Sequence, residues 1–555
     1  MQYLTKIIYF HEIPKKKPIY SIFHPFSPLQ KLLSGPLWYF FTTFAGVIPQ
    51  YNMAGIKSLA KDTAIYGISS IVGRFLNWML VPLYTHVFDA SEYGVVTFVY
   101  SVVALALVIL TYGMETGFFR FANHERWKDP MEVYSTCLTS LAVSSVAFVA
   151  LVAVFIKPIT LWMQCAGHPS FVIIMAACVA IDAYLSLPYS YLRYARRPMR
   201  FAMLRLTNIG LNIGLNLFFI LLCPWLMKVA PASVSWFYDP AYGVGYIFLA
   251  NFIASLVNLL MMLPDMTGFR WKFNTTLWRE ILRYSAPLLV LGVAGIMNQT
   301  LGNLLYPHLV ADKAEAMYGL GIYGANYKVA VVLLVFLQAF RFAYEPFIFS
   351  RSREKGEAKF QSYRDAMKYF VAFALLIFLA VMFYLDYIKY FISPAYFAGL
   401  VIVPIVMLGE LFYGIFYNLA VWYKLTDRTV WGMWFSLGGL VVTVVLNIVL
   451  VPRISYMGCA VASLACYATM MLASYFVGNR LYPIGYPTGR ICGYFGIAAA
   501  IYVLGFYLLP MAHLGQLVNA IVRFGLLCLF CWIFCRIEGI TVASLLTPVR
   551  KFVRR

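Results

Sequence analysis

Long apolar runs recur along the whole chain and constrain its fold more than any other feature. Each run has about 20 residues, the length that crosses the hydrocarbon core of a bilayer as an α-helix. Of the 555 residues, 62% are hydrophobic and only 12% are charged, whereas a soluble protein keeps roughly a quarter of its residues charged. The alternating pattern of a transmembrane barrel is not seen. The sequence therefore predicts an all-α polytopic membrane protein.

The runs predict about fourteen transmembrane helices, with ends uncertain by roughly two to four residues. We place them at 64–88, 93–118, 135–156, 170–192, 203–224, 241–263, 284–309, 322–349, 367–388, 397–421, 430–451, 458–478, 490–510 and 514–535. Most of the 43 Lys and Arg residues then fall in segments on one side, so we expect both termini to be cytoplasmic. The net charge of +21 is better explained by topology and anionic lipid headgroups than by nucleic-acid binding.

Two pairs of segments indicate an internal repeat. PLYTHVFDASEYG and LLYPHLVADKAEAMYG share Leu-Tyr-x-His, an acidic turn and Tyr-Gly, which places Gly94 opposite Gly319. The fifth and eleventh spans match around Asn216 and Asn447. We expect two six-helix lobes related by a parallel repeat, followed by two C-terminal helices. Repeats of this kind are typical of transporters whose substrate site lies between the lobes.

The repeat and the topology suggest four regions. Residues 53–268 would form the N-lobe and 269–482 the C-lobe, while 483–555 would hold the last two spans and a basic tail. Residues 1–52 fit this plan poorly. They are basic, and their apolar stretch is too short to span a membrane. We expect either a native start at Met53 or a loosely ordered extension.

A charge inside a span costs several kcal/mol unless it faces protein or water, so such residues are candidates for function. Arg74 lies near the middle of the first span, and Asn77 shares its helical face at i+3. Two interpretations stay open for Arg74. It lines a polar cavity and binds an anion, or it is a structural cation bound to helix carbonyls.

The eighth span carries a polar stripe in LQAFRFAYEPFIFSR. Gln338, Arg341 and Glu345 follow one another at helical spacing, and Pro346 favours a kink because it lacks an N–H. Arg341 and Glu345 form a neutral i,i+4 pair beside a hinge, or Arg341 switches between an anionic substrate and Glu345. Lys328 lies nearer the outer end and about 140° around the helix. It is the third candidate cation of the cavity.

Four further charged residues are candidates for gating or ion coupling. Glu115 and Arg120, at the cytoplasmic end of the second span, could form an inner gate or an interfacial ion pair. Asp182 and Glu410 could carry a coupling proton or Na⁺, and ordinary interhelical hydrogen bonding is the competing explanation.

The sequence shows none of the common motifs of an enzyme active site. It lacks a Walker A motif, a Rossmann glycine fingerprint and GxSxG, and the outer loops are too short for a catalytic domain. CLFCWIFC places Cys528, Cys531 and Cys535 on one helical face without other visible metal ligands, so we expect them to pack. We therefore predict no catalytic residue, metal or cofactor.

Three stretches resemble a known family: LAKDTAIYGISSIVGRFLNWMLVPLYTHVFDASEYG, YGMETGFFRFAN and YGANYKVAVVLLVFLQAFRFAYEPFIFSR. They are similar to the polysaccharide flippases of the multidrug/oligosaccharidyl-lipid/polysaccharide exporter superfamily, in particular those of O-antigen and capsule repeat units. The resemblance covers residues 55–480, and the last two spans match in number only. Arg74 and Arg341 match positions in the first and eighth spans where the family places polar or basic residues, and Lys328 matches such a position less closely.

The resemblance implies a V-shaped pair of lobes, alternating access and a cationic central cavity. The substrate would be an undecaprenyl-diphosphate-linked oligosaccharide, moved to the outer leaflet of a bacterial inner membrane for lipopolysaccharide or capsule synthesis. Membrane lipids, H⁺ or Na⁺, and polysaccharide polymerase or assembly proteins are the expected partners. A lipid II flippase and a multidrug exporter of the same superfamily remain alternatives, and a membrane glycosyltransferase or polymerase is a more distant one.

Overall fold

The computed structural model describes residues 72–124, 126–127, 129–165, 167–266, 272–351, 357–426, 428–511 and 515–539. All regular elements in these ranges are helical. Thirteen of the described helices are long and apolar enough to cross a membrane, and they correspond to the second to fourteenth predicted spans. Residues 64–71 of the first predicted span lie outside the described ranges. The prediction of an all-α membrane protein is confirmed.

The principal helices are numbered along the chain. They are α1 (Val81–Val87), α2 (Ala90–Thr111), α3 (Met114–Ala122), α4 (Pro130–Val154), α5 (Pro169–Tyr194), α6 (Pro198–Leu217), α7 (Gly245–Met262), α8 (Thr275–Leu309), α9 (Lys313–Arg351), α10 (Glu357–Phe383), α11 (Val403–Leu419), α12 (Val430–Ile454), α13 (Tyr456–Leu481), α14 (Thr488–Tyr502) and α15 (Gln516–Ile537). Short helical segments connect or extend them, among them Ile156–Trp162, Phe218–Leu222, Cys223–Val229, Pro231–Val234, Pro240–Tyr242, Leu263–Met266, Leu385–Ile388, Lys389–Phe391, Pro394–Ile402, Val421–Leu425, Val503–Leu508 and Leu509–Met511.

The start and end of α2 follow from local sequence. Asp89 caps the helix by accepting from the Glu92 amide at 2.8 Å, and the Glu92 carboxylate accepts from the Asp89 amide at 3.2 Å. This reciprocal capping box satisfies amide groups that would otherwise lack partners. The helix ends at Tyr112 and Gly113, both in the left-handed region, and α3 begins directly afterwards. The predicted second span is therefore two helices joined at a fixed bend.

The two halves of the chain approach each other closely where α2 packs against α9. A Cβ built on Gly94 would lie 2.0 Å from the Met317 carbonyl oxygen, and one built on Gly321 would lie 1.8 Å from the Ala90 carbonyl oxygen. Both glycines are required because any side chain would overlap backbone. The contact is reciprocal, since each glycine meets the carbonyl four residues before the other. The contact joins Gly94 to Gly321, whereas the sequence repeat aligns Gly94 with Gly319.

The second repeat pair is placed as the sequence suggests. Asn216 of α6 and Asn447 of α12 are both fully buried. The Asn216 amide donates to the Asn212 carbonyl at 2.8 Å, and the Asn447 amide donates to the Thr443 carbonyl at 2.7 Å. The two asparagines therefore bond in the same way to the carbonyl one turn earlier.

Helix α8 packs against both halves of the chain. Near its start, Leu277 and Ile281 join a buried cluster with Met114 and Phe118 of α3. Toward its end, Asn298 donates to the Ser436 carbonyl of α12 at 3.0 Å. The proposed lobe boundary before this helix therefore leaves its first turns packed against N-terminal elements.

Arg523 of α15 is a buried structural cation. Its guanidinium donates to the Phe383 carbonyl at 2.7 Å and to the Gly505 carbonyl at 3.3 Å, and it lies 3.4 Å from the Asp386 carboxylate. Arg523 as a whole residue is only 8% exposed. These bonds fasten α15 to the end of α10, so this charge within a span is explained by packing.

Candidate functional site

Arg74 lies beside the polar stripe of α9. Residues 72–78 are helical, and the Arg74 guanidinium donates a hydrogen bond to the Gln338 side-chain oxygen. Arg74 is exposed, and none of the described carboxylates forms an ion pair with it. The structure thus joins two candidates that the sequence located in separate spans.

Arg341 shares the face of α9 that carries Gln338. Its guanidinium carbon lies 4.1 Å from the centre of the Tyr417 ring, and its side chain also interacts with Tyr413. Both tyrosines belong to α11. A guanidinium over an aromatic face is attracted by the ring and keeps its N–H groups available at its edge. Arg341 lies within electrostatic range of Arg74.

Arg205 of α6 completes a cluster that sequence reasoning missed. It lies within electrostatic range of Arg74, and its guanidinium carbon is 5.7 Å from the centre of the Tyr189 ring. Arg205 lies two residues inside the start of the predicted fifth span, where a cation is ordinary. The missed signal is a polar stripe at helical spacing, which consists of Arg205, Asn208, Asn212 and Asn216.

A fourth cation, Lys424, also contacts Tyr417. The Lys424 ammonium is 4.5 Å from the centre of the Tyr417 ring and donates to its hydroxyl at 3.2 Å. Lys424 lies between the predicted tenth and eleventh spans. Tyr417 therefore contacts both Arg341 and Lys424.

None of the described contacts joins Lys328 or Asn77 to Arg74, Arg205 or Arg341. The Lys328 carbonyl accepts from the indole N–H of Trp78 at 2.7 Å, and Trp78 stacks on Phe391 with ring centres 4.1 Å apart. This arrangement fixes the backbone at Lys328. Asn77 is exposed, and its carbonyl accepts from the Leu80 amide at 3.2 Å.

The predicted pairing of Glu115 with Arg120 is not formed. Glu115 instead accepts from Arg193 at 2.9 Å and from Ser190 at 3.1 Å, both on α5. Arg120 lies over the Tyr284 ring of α8 at 4.2 Å. A separation of five residues turns the two side chains about 140° apart on a helix, so they face different neighbours. A gating role for either residue stays a prediction.

Two predicted features of α9 fall on side chains outside the described part of the structure. The backbone of α9 is helical through positions 345 and 346. The pairing of Arg341 with Glu345 and the effect of Pro346 both depend on those side chains. The proposed switch therefore stays a prediction.

Asp182 and Glu410 have different partners. Asp182 of α5 accepts from the Ser255 hydroxyl at 2.9 Å, and Arg205 lies within electrostatic range. Glu410 of α11 is 3% exposed and accepts from the Tyr327 hydroxyl at 3.0 Å.

The arginine cluster, defined as Arg74, Arg205 and Arg341, has the chemistry of an oxyanion site. Arg74 lies within electrostatic range of both Arg205 and Arg341, so three helices from both halves of the chain contribute cations to this region. Their mutual repulsion is unfavourable unless an anion or water lies between them. Guanidinium binds phosphate through paired hydrogen bonds and stays charged when partly dehydrated. The cluster therefore suits a ligand that carries more than one negative charge.

The fold is that of known membrane transporters. A structure of the lipid II flippase MurJ in an inward closed conformation matches with a TM-score of 0.62 and 14% identity, over 85% of this chain and 98% of that one. An inward-facing multidrug resistance MATE family transporter of the MOP superfamily matches with a TM-score of 0.59 and 10% identity, over 82% and 98% of the two chains. At these identities the similarity shows the fold alone.

The family is shown by sequence. Residues 59–350 match the model of the family described as polysaccharide biosynthesis protein, which is more than half of the chain. The chain belongs to this family and is a multi-pass membrane protein. No curated protein is significantly similar to it in sequence.

Proposed function

We propose that the protein is a flippase for a polyprenyl-diphosphate-linked oligosaccharide. The observation that carries the proposal is the convergence of Arg74, Arg205 and Arg341 inside the membrane-spanning part of the chain. The family is one of polysaccharide biosynthesis, and one of the similar structures is a lipid flippase. A lipid-linked sugar diphosphate unites these three lines of support, since it is at once a polyanion, a lipid and a glycan precursor.

The arginine cluster would bind the diphosphate during transport. A phosphate charge in hydrocarbon is very costly, so its passage requires a polar path. Bound diphosphate would offset the repulsion among the three guanidinium groups. It would therefore favour the state in which α6, α9 and the helix that carries Arg74 converge, because a ligand shifts the equilibrium toward the state that it binds better.

The remaining parts of the proposal follow from topology. Both termini would be cytoplasmic in a bacterial inner membrane, and the substrate would move from the cytoplasmic to the outer leaflet by alternating access between lobes 53–268 and 269–482. The polyprenyl chain would stay in the bilayer while the glycan occupies the space between the lobes. Glycans of O-antigen or capsule type are the proposed cargo, and a polysaccharide polymerase would act on the product.

A lipid II flippase is the second candidate function. The MurJ-like structure favours it, and its substrate is also a lipid-linked glycan. A multidrug exporter is favoured by the MATE-like structure, yet a cluster of arginines would repel a cationic drug. The lipid that accumulates when the gene is removed separates these possibilities.

The first test compares lipid-linked sugars from a strain that lacks the gene with those from the same strain carrying a plasmid copy. We expect complete oligosaccharide units to accumulate on polyprenyl diphosphate and to clear on complementation. Accumulation of lipid II would move the cargo to peptidoglycan. An unchanged lipid-linked pool with altered drug tolerance would overturn the proposal in favour of an exporter.

The second test addresses the site. Arg74→Ala and Arg341→Ala should each lower transport about tenfold or more, because a hydrogen bond to a charged group contributes about 1.5–3 kcal/mol. Arg74→Lys should restore part of the activity, since it keeps the charge but not the planar fork. Arg480→Ala is the matched control, because Arg480 is an exposed arginine at the end of α13. Normal transport by both alanine variants at normal membrane levels would overturn the cluster as the binding site.

A further inference from the structure

Asp182 and Glu410 occupy similar positions in the two halves of the chain. They lie 228 positions apart on α5 and α11, close to the 227 positions that separate Gly94 from Gly321. Tyr100 of α2 and Tyr327 of α9 are also 227 positions apart. Tyr100 lies within electrostatic range of Asp182, and Tyr327 bonds directly to Glu410. Each half therefore places one carboxyl group beside a tyrosine of the helix that forms the central glycine contact.

The surroundings of Asp182 differ from those of Glu410 because they include a cation as well as a hydrogen-bond donor. Its Oδ1 accepts from the Ser255 hydroxyl at 2.9 Å, and its Oδ2 lies 3.9 Å from the Cys178 sulfur. The positive charge of Arg205 lies within electrostatic range. A hydrogen-bond donor and a nearby cation both favour the charged form of a carboxyl group.

The surroundings of Glu410 suit a neutral carboxylic acid. Its Oε1 has the Tyr327 hydroxyl as donor at 3.0 Å. Its Oε2 is buried and has no hydrogen-bond partner among the described residues. Burying an ionised carboxylate with an unpartnered oxygen is far more costly than burying the acid. Among the described residues, the titratable side chains that face Glu410 are tyrosines: Tyr323 and Tyr327 of α9, Tyr413 of α11 and Tyr467 of α13.

The cations on the neighbouring helices lie on another helical face or contact other groups. Lys328 follows Tyr327 and is turned about 100° around α9, and Arg341 lies over the Tyr417 ring. On α10 the charged side chains end at Lys368, which pairs with Asp365 at 3.0 Å. The basic residue of α13 lies in its last turn, and the segment Pro394–Ile402 carries no charged residue. Within the described residues, Glu410 has no ion-pair partner.

We propose that Glu410 is the proton-binding residue of the transporter, and that Asp182 instead serves as the counter-ion that positions Arg205. Glu410 holds a proton while α9 and α11 are packed together. It releases that proton to water when the interface opens, without any covalent step. A proton fits better than Na⁺, because a metal ion needs several oxygen ligands and Glu410 has one bonded tyrosine beside it.

The same interface links the proton to the anion site. Tyr413 and Tyr417 follow Glu410 on α11 at i+3 and i+7, so the three share one face. Tyr417 and Tyr413 are the residues that contact Arg341. Deprotonation of Glu410 would weaken the packing of α11 on α9 and thereby shift Arg341. The use of the proton to drive transport rests on the proposed function, whereas the proton site itself does not.

The test is infrared spectroscopy of the full-length protein in lipid nanodiscs without substrate. We expect a carbonyl band of a buried, protonated carboxylic acid at neutral pH. The band should disappear in Glu410→Gln, stay in Asp182→Asn and shift in Tyr327→Phe, which removes the hydrogen bond but keeps the ring. Absence of the band in the unmodified protein, its persistence in Glu410→Gln, or its loss on adding Na⁺ would overturn the proton site.

A transport measurement then tests coupling. In proteoliposomes with a polyprenyl diphosphate sugar, an imposed pH gradient should accelerate transport by the unmodified protein and should have no effect on Glu410→Gln. If the gradient accelerates both proteins equally, coupling through Glu410 is wrong. If neither protein moves this lipid while the infrared band behaves as expected, the proposed cargo is wrong and the proton site stands.

Discussion

Arg523 and Arg74 are both arginines in apolar spans, yet they have opposite surroundings. Arg523 is almost fully buried and donates to two backbone carbonyls beside a carboxylate. Arg74 is exposed, bonds to a neutral amide and lies within range of two other arginines. The first cation has its partners inside the protein, whereas the second is surrounded by charges of its own sign. The partners of a membrane arginine, more than its depth, distinguish a structural role from a binding role.

The largest effect is expected at Arg523. Arg523→Ala leaves the carbonyls of Phe383 and Gly505 without their donor, whereas the exposed Asp386 carboxylate keeps Lys389 at 3.7 Å. A buried acceptor that loses its partner costs about 1–3 kcal/mol. We expect a clear fall in the unfolding temperature of the detergent-purified protein, with transport per folded molecule retained. Lost transport at unchanged thermal stability would show that the contrast with Arg74 is wrong.

The glycine contact between α2 and α9 should come next. Gly321→Ala places a Cβ 1.8 Å from the Ala90 carbonyl oxygen, so the helices must separate. Overpacking of this kind costs about 1–3 kcal/mol. A lower unfolding temperature should result. The control is Gly295→Ala in α8, where a Cβ would meet open space, and equal effects of the two changes would contradict the described contact.

Arg205 tests whether a cation that the sequence did not single out belongs to the binding site beside Arg74. Arg205→Gln should weaken binding of a polyprenyl diphosphate about tenfold, on the same scale as the loss of one charge-assisted hydrogen bond. Thermal stability should change little, since Arg205 is exposed. Binding can be followed by the shift in unfolding temperature with added lipid. Unchanged binding would reduce the cluster to Arg74 and Arg341.

The smallest effect is expected at Tyr417. Tyr417→Leu removes the aromatic ring that both Arg341 and Lys424 contact, and a cation–π contact contributes about 0.5–2 kcal/mol. Transport should fall a few fold. Tyr417→Phe keeps the ring and loses only the hydroxyl that Lys424 bonds, so it should be milder. If Tyr417→Phe is as impaired as Tyr417→Leu, the hydroxyl rather than the ring positions these cations.

Much of the fold was readable from the sequence because hydrophobic length is a local property. The predicted fourth span, 170–192, is observed as Pro169–Tyr194, and the predicted eleventh, 430–451, as Val430–Ile454. The sequence also located Arg74, Gln338 and Arg341, since a charge or amide within an apolar run is conspicuous.

Only some of the residues of the candidate site could be predicted from the sequence. Arg205 and Lys424 lie near span ends, where a cation is ordinary, so only their three-dimensional neighbours show that they belong near the site. The pairing of Glu115 with Arg193 depends on how α5 packs against α3. Neither relationship has a local signature in the sequence.

The transmembrane helices, the family and the presence of charges within spans follow from the sequence, because they depend on composition and on spacing along one helix. The three-dimensional structure determines which of these charges have partners. It joined Arg74 to Gln338, paired Gly94 with Gly321, and gave Asp182 a cation while leaving Glu410 among tyrosines. The physical reason is that the free energy of a charge in a membrane protein depends on the groups within a few ångströms, and those groups come from other helices.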